Sequence, residues 1–353
     1  MRPFRSPFPF CAVLAVLLSA CGREPRVVRA MYHWSNSNSL SDGQETFLDT
    51  HSVEVLFHKV LDIDWNEANH AYPLSIVEMP DLVRYTYGMD SARVEGLKRI
   101  ERVPVVYITN RTMEHCDSVQ LEVLAAKLHR KVDQLCPQGW NELQLDCDWS
   151  AKTKDTFFAL VRMMKQRTGR GISATIRLHQ YRNPEQTGVP PADRGMLMLY
   201  NVEDVKRAEG RNSIFNEEAA APYFSGAAEY PIPLDIALPA FDWVLHFRHG
   251  RFMGIRDAQD METVLEHGLC TPDSAGWFRI LLEEEESWWA DGLNTGDLLR
   301  WERVDSTALL RAVELARTAV NDDAVRVSFF HLQDHMRPLY SHATFEQTWD
   351  AFR

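Results

Sequence analysis

Asp146 and Asp148 stand two residues apart at the end of an apolar run, Leu143-Gln144-Leu145. On a β-strand that spacing turns both side chains to one side. Two carboxylates held so close cannot both ionise cheaply, so one keeps a proton near neutral pH. A carboxyl protonated at neutral pH can donate that proton, which is what general acid catalysis requires. The competing reading is structural: the pair hydrogen-bonds neighbouring strands and caps the helix that follows. For catalysis a second carboxyl must face Asp148, and Asp64, Asp242 and Asp334 are the candidates.

Other apolar runs also lead into polar and aromatic residues. They deliver His33-Trp34-Ser35-Asn36, Asp62-Ile63-Asp64-Trp65-Asn66, Thr109-Asn110, His179-Gln180-Tyr181, Tyr200-Asn201, Asp242-Trp243 and His331-Leu332-Gln333-Asp334-His335. Trp34, Trp65, Trp149, Tyr200 and Trp243 offer flat faces on which sugar rings stack. Core packing is the commoner role for any one of them, but their shared position favours a platform for the set. His179, Asn201, His331 and Asp334 complete the candidate binding residues. His331 and His335 follow a strand, so the i, i+4 spacing of a helical zinc site does not apply. No metal and no cofactor is expected. Nucleophile-elbow, dinucleotide and P-loop motifs are absent from the sequence.

Eight strands are needed to carry these ends. The candidates are Arg29–Ser35, Ser52–Leu61, Val103–Thr109, Glu142–Asp148, Ile172–His179, Gly195–Tyr200, Leu234–Phe247 and Val325–Leu332. Several are near-continuous apolar runs, as strands buried on both faces should be. Helical patterns lie between them. Asp117 or Ser118 caps one, with Leu121, Leu124, Leu128, Val132 and Leu135 on one face. Ser150 or Thr153 opens another, with Phe157, Leu160, Val161 and Met164 inward and Gly169 past its end. Ser306 opens a third, carrying Leu309, Leu310, Val313 and Val320. Strand–helix repetition over this length predicts an α/β (β/α)8 TIM barrel at residues 29–353, with an open doubly wound sheet as the runner-up. Residues 248–305 read as an elaborated loop with helices, inserted after strand 7, and not as a second domain.

Leu145-Asp146-Cys147-Asp148-Trp149-Ser150 resembles the end of the strand-4 motif of family-18 glycoside hydrolases, the chitinase family. Met198-Leu199-Tyr200-Asn201 resembles that family's strand-6 motif, Met-x-Tyr-Asp. The resemblance covers these two short segments. It implies a sugar-binding barrel with Asp146 and Asp148 beneath the substrate and Tyr200 close to the scissile sugar. The family's general acid is the Glu that ends its strand-4 motif, and Ser150 stands there. The family's mechanism therefore does not transfer, and a hydrolase would need another acid. Retaining glycosidases hold two carboxyls about 5–5.5 Å apart, and inverting ones further. Leu178-His179-Gln180 and Leu197-Met198-Leu199-Tyr200-Asn201 also resemble bacterial lipoproteins with a barrel domain of uncharacterised function.

That second resemblance agrees with the amino terminus. Arg2 and Arg5, an apolar stretch from Phe10 to Leu18, and Leu18-Ser19-Ala20-Cys21 have the layout of a secretory signal. They resemble a lipobox, which implies removal of residues 1–20, acylation of Cys21 and a linker over residues 21–28. A lipid-anchored envelope protein is expected, on the outer membrane if the host is Gram-negative. The formal net charge is −12, and removing Arg2 and Arg5 makes the chain more acidic still. Nucleic acid is thereby excluded as a partner, since its affinity comes from neutralised phosphates, and basic-patch binding to an anionic bilayer is disfavoured. Cys116 and Cys136 could form a disulfide or remain buried thiols. The expected partners are a carbohydrate ligand and the bilayer. The expected function is a glycoside hydrolase-like activity on an envelope or environmental glycan. The alternatives are a non-catalytic carbohydrate-binding protein and an envelope interaction protein of the same fold.

Overall fold

The near-continuous apolar runs become parallel strands closed on themselves. The computed structural model describes residues 26–82, 91–207, 210–274, 276–282, 292–334 and 339–353. The signal sequence, Cys21, the acidic run Glu283–Glu286 and His335 lie outside the described residues. The barrel strands are β1 (Arg26–His33), β2 (Val55–Asn66), β4 (Glu101–Ile108), β5 (Glu142–Asp146), β6 (Gly171–Arg177), β7 (Arg194–Met198), β8 (Leu234–Pro239) and β14 (Ala324–Phe330). Each is parallel to its neighbours, and β1 pairs with both β14 and β2, which closes the ring. The expected (β/α)8 barrel is therefore present. β1 already pairs at Arg26 with Ala324, so the barrel starts before the predicted end of the linker at residue 28.

The helices obey the predicted apolar spacing. In Ser118–Leu135, capped by Asp117, the residues Leu121, Leu124, Leu128, Val132 and Leu135 are all buried. In Lys154–Thr168, Phe157, Leu160, Val161 and Met164 are buried, and Gly169 ends the helix in the left-handed conformation that glycine adopts without strain. Ser306–Arg317 buries Leu309 and Val313 and is capped by Asp305; it stops short of Val320. Cys116, Cys136, Cys147 and Cys270 are free thiols, the first three buried.

Other features differ from the sequence expectation. β2 runs on to Asn66 and folds back as an antiparallel edge strand, β3 (His70–Ile76). The predicted strand Leu234–Phe247 is two strands. β8 ends at Pro239, and after Ala240-Phe241 the chain leaves the barrel as β9 (Asp242–Arg248). A single strand of that length would overshoot the barrel's height, at about 3.3 Å per residue. β9 then organises the insertion, whose framework is a sheet with a helix packed on it. Its other strands are β10 (Arg251–Arg256), β11 (Cys270–Ser274), β12 (Trp277–Ile280) and β13 (Leu298–Arg303), in the order β10-β9-β13-β12-β11 and antiparallel throughout. Helix Ala258–Glu266 packs on it, and Val244, Met261, Val264, Leu269, Ile280 and Leu299 form its own small core.

Charge plugs the amino-terminal end of the barrel. Arg326 donates to Asp235 at 2.7 Å and to both oxygens of Glu142 at 2.7 and 3.0 Å. Arg194 shares Asp235 and reaches Asp322. Asp235 is 1 % exposed and Arg326 9 %. Removing one partner of such a buried network strands the others, at a cost of about 3–5 kcal/mol. Arg326→Leu is expected to lose about 3 kcal/mol of stability or more in urea unfolding, whereas replacement of the exposed partner of the Arg26–Glu54 pair should change it little.

Candidate functional site

The carboxyl-terminal ends of the barrel strands surround a cleft of about 470 Å³. β5 ends in Asp146 at its floor, and Asp148 follows two residues on. Asp146 is buried and accepts a 2.6 Å hydrogen bond from Thr175 Oγ1 of β6. Burial first, and the neighbouring Asp148 second, push its pKa up to about 7. Asp148 is open to the cleft, with 47 % of its side chain exposed, and its Oδ1 lies 3.2 Å from Arg177 Nε. The floor therefore holds one carboxyl that retains its proton beside one paired with a cation.

Aromatic side chains make the walls. Trp34, Tyr107, Tyr200, Phe241, Trp243 and Phe330 line the cleft. Tyr200 stacks on Phe330 with ring centroids 4.8 Å apart and meets Phe241 edge-on at 5.8 Å. Burial, reinforced by Asp146, raises the pKa of Tyr200, so its hydroxyl stays a neutral donor. Asn201 follows with φ +57°, a left-handed position that asparagine tolerates. Its buried Oδ1 finds no hydrogen-bond partner among the described residues. A ligand hydroxyl would satisfy it.

The inserted sheet completes the site. Asp242 and Trp243 of β9, Ile255 and Arg256 at the end of β10, and Asp257, which caps helix Ala258–Glu266, line the cleft. Glu302 of β13 fixes this sheet to the barrel. It accepts hydrogen bonds from Trp243 Nε1 at 2.9 Å and from Ser213 N at 3.1 Å, and Arg300 neutralises it at 2.8 Å. Asn212 donates to the carbonyl of Arg303 at 2.7 Å.

The structure brings Trp34, Asp146, Asp148, Tyr200, Asn201, Asp242, Trp243 and His331 together in the cleft. Four other candidates lie away from it. Asp64 is held by the Arg111 guanidinium and by Thr109 Oγ1 at 2.8 Å, and the arginine lowers its pKa. Trp65 stacks on His115 with centroids 4.0 Å apart. Trp149 is core: it stacks on Phe157 and donates Nε1–H to the Thr187 carbonyl at 3.0 Å. Asp334 accepts from Ser41 Oγ at 2.5 Å. His179 lines a smaller hollow beside the cleft with Asp148, Arg177 and Tyr200, and burial lowers its pKa. Ser150 serves the turn: its backbone N–H donates to Thr153 Oγ1 at 2.8 Å, and its hydroxyl lies 3.2 Å from the same atom. Tyr107, Arg177, Asp257 and Gln333 were not foreseen as site residues. Arg177 had a signal, because it ends β6, but the predicted strand ran two residues too far.

No protein-family model matches the chain, and no curated protein matches its sequence. Solved structures match it in fold. A chitinase from Chromobacterium violaceum ATCC 12472 superposes with a TM-score of 0.52 at 13 % identity, over 92 % of this chain and 98 % of that one. The Group IV chitinase of Ostrinia furnacalis gives 0.51 at 10 % identity, over 92 % and 99 %. The likeness is one of fold. This chain shares the TIM-barrel architecture of those structures.

The raised pKa of Asp146 has a signed consequence. In the unfolded chain this carboxyl ionises near its usual value, and in the fold near 7. Between the two, the fold holds a proton that the unfolded chain has released, so this group's contribution to stability falls as pH rises through that window. Asp146→Asn removes the dependence. Against wild type, the variant should gain stability steadily between about pH 4 and pH 8, reaching a few kcal/mol in urea unfolding. A constant difference would contradict the shift.

Proposed function

We propose that this protein is a lipid-anchored envelope protein whose barrel binds a glycan in the cleft and hydrolyses a glycosidic bond there. The observation that carries the reading is the carboxyl pair, Asp146 protonated beneath an open Asp148, in a cleft walled by Trp34, Tyr200 and Trp243. Sugar rings stack their C–H faces on such aromatic walls while their hydroxyls need polar partners. Asn201 Oδ1, Tyr200 and Arg177 are placed to supply them. In the reaction, the proton that Asp146 retains near neutral pH passes through the carboxyl pair to the leaving oxygen as the glycosidic C–O bond breaks. Asp242 or Asp257, on the wall built by the inserted sheet, takes a proton from the attacking water.

The anchor rests on Cys21 and the signal-like residues before it, and it sets the substrate's location. Several acyl chains on one cysteine hold a protein stably at a bilayer. Cell-wall glycans, or glycans reaching the cell surface, are then within range. Among the described residues, no helix is long and apolar enough to cross a membrane.

Ser150 favours a second reading, a glycan-binding protein without turnover. It stands where the resembling family has its acid, and here it braces a turn.

A glycan panel read for both binding and reducing-end release separates the two. Chito-oligosaccharides lead it because the fold neighbours are chitinases, and peptidoglycan fragments follow because of the anchor. Wild type is expected to bind and cleave at least one class. Asp148→Asn should cut release about a hundredfold or more and leave affinity within a few-fold. Trp243→Ala should weaken binding about tenfold. Binding without release supports the second reading, and failure to bind any glycan overturns both. Localisation has its own check: Cys21→Ser should leave the protein unacylated and release it from the membrane fraction.

A further inference from the structure

We propose that His51, His342 and Glu346 form a divalent transition-metal site of the zinc class, outside the cleft, where the first helix of the barrel meets the last. Among the described residues these three offer ligand atoms that all lie within 4.8 Å of one another. His51 ends helix Asp42–Thr50, and its backbone N–H still bonds that helix. His342 and Glu346 are one turn apart on helix His342–Asp350, so both face the same neighbour. None of the three lines the cleft.

The geometry suits a shared ion. His51 Nδ1 lies 3.1 Å from Glu346 Oε1. Two ligands bound tetrahedrally at 2.0–2.1 Å stand about 3.3 Å apart, so this separation fits a shared metal as well as it fits a hydrogen bond. The rings of His51 and His342 have centroids 4.5 Å apart. Two imidazoles and a carboxylate are the donor set of three-ligand zinc sites, which keep a further position for water. His342 is exposed, which leaves that position open to solvent.

The surroundings hold the ligands in place. His51 is wedged among Phe47, Phe345 and Trp349, with centroids 4.4, 5.2 and 5.6 Å away. Arg29 of β1 donates to the His51 carbonyl at 2.8 Å and to Glu346 Oε2 at 2.6 Å. Arg29 also reaches Glu346 Oε1 at 3.0 Å. Metal binding takes Oε1 and the Nδ1 lone pair, leaves Oε2 to Arg29, and places the imidazole proton on Nε2. Outer partners of this kind orient metal ligands. The bound ion would tie the first helix to the last, across the seam where β1 meets β14.

Calorimetric titration of the metal-free full chain with Zn2+ tests the proposal. Wild type should bind one equivalent at micromolar concentrations or below. His342→Ala changes an exposed residue and should weaken binding at least about tenfold. Glu346→Gln should do the same. Cys270→Ser removes the partly exposed thiol and should leave binding unchanged. At the same Zn2+ concentration the Tm of wild type should rise more than that of His342→Ala, as mass action on the folded state requires. Co2+ should give the visible absorption of a low-coordinate site in wild type alone. Failure of wild type to bind, or binding unchanged in both ligand variants, overturns the proposal and leaves an Arg29–Glu346 ion pair with a hydrogen-bonded histidine.

Discussion

Closure of the sheet is the constraint on which the rest depends. Because β1 pairs with β14 on one side and β2 on the other, eight strand ends form a ring. An open sheet would carry the same carboxylates on a line and expose two edges. The ring instead gathers Asp146 and Asp148, at the end of β5, into one cleft with Trp34, Tyr200 and Phe330 from the ends of three other strands. The opposite end is occupied by Arg326, Arg194, Asp235 and Glu142, whose mutual neutralisation needs no solvent. Stability and chemistry are thus assigned to different ends of one barrel, as is general for this architecture.

Desolvation then converts position into reactivity. Asp146 sits beneath the cleft with Thr175 as its hydrogen-bond donor and Asp148 as the like charge that acts on it most. Both burial and the second carboxylate disfavour its ionised form. The inserted sheet contributes by walling the cleft. Glu302 makes that wall rigid, since one carboxylate joins Trp243, Arg300 and the Ser213 backbone. The insertion is therefore part of the site, although its core is separate from that of the barrel.

Much of this was legible in the sequence, for physical reasons. Apolar runs bounded by polar residues marked all eight barrel strands, and the one-sided spacing from Leu121 to Leu135 marked a packed helix. Of the residues that the strand-end rule picks out, Trp34, Asp146, Asp148, Tyr200, Asn201, Asp242, Trp243 and His331 lie together in the cleft. The rule erred where its premise failed. Trp149 follows Asp148 and so points to the other side, into Phe157. Asp64 and Trp65 lie on the part of β2 that continues past the barrel to pair with β3, so their neighbours are Arg111 and His115. The run from Leu234 to Phe247 carries no break in polarity at Pro239, and periodicity alone could not divide it. Asp257 and Arg256 reach the cleft through the tertiary placement of the inserted sheet, which leaves no local trace. The trio His51, His342 and Glu346 joins opposite ends of the chain, and only the closed barrel shows it.

The claim at the centre is that Asp146 keeps its proton near neutral pH because it is buried beside Asp148. Carboxyl 13C titration of aspartate-labelled protein measures it directly, with Asp146→Asn and Asp148→Asn identifying the signals. The account predicts a midpoint near 7 for Asp146 that falls when Asp148 is made neutral. A midpoint in the ordinary carboxylate range near 4, unmoved by Asp148→Asn, would contradict it.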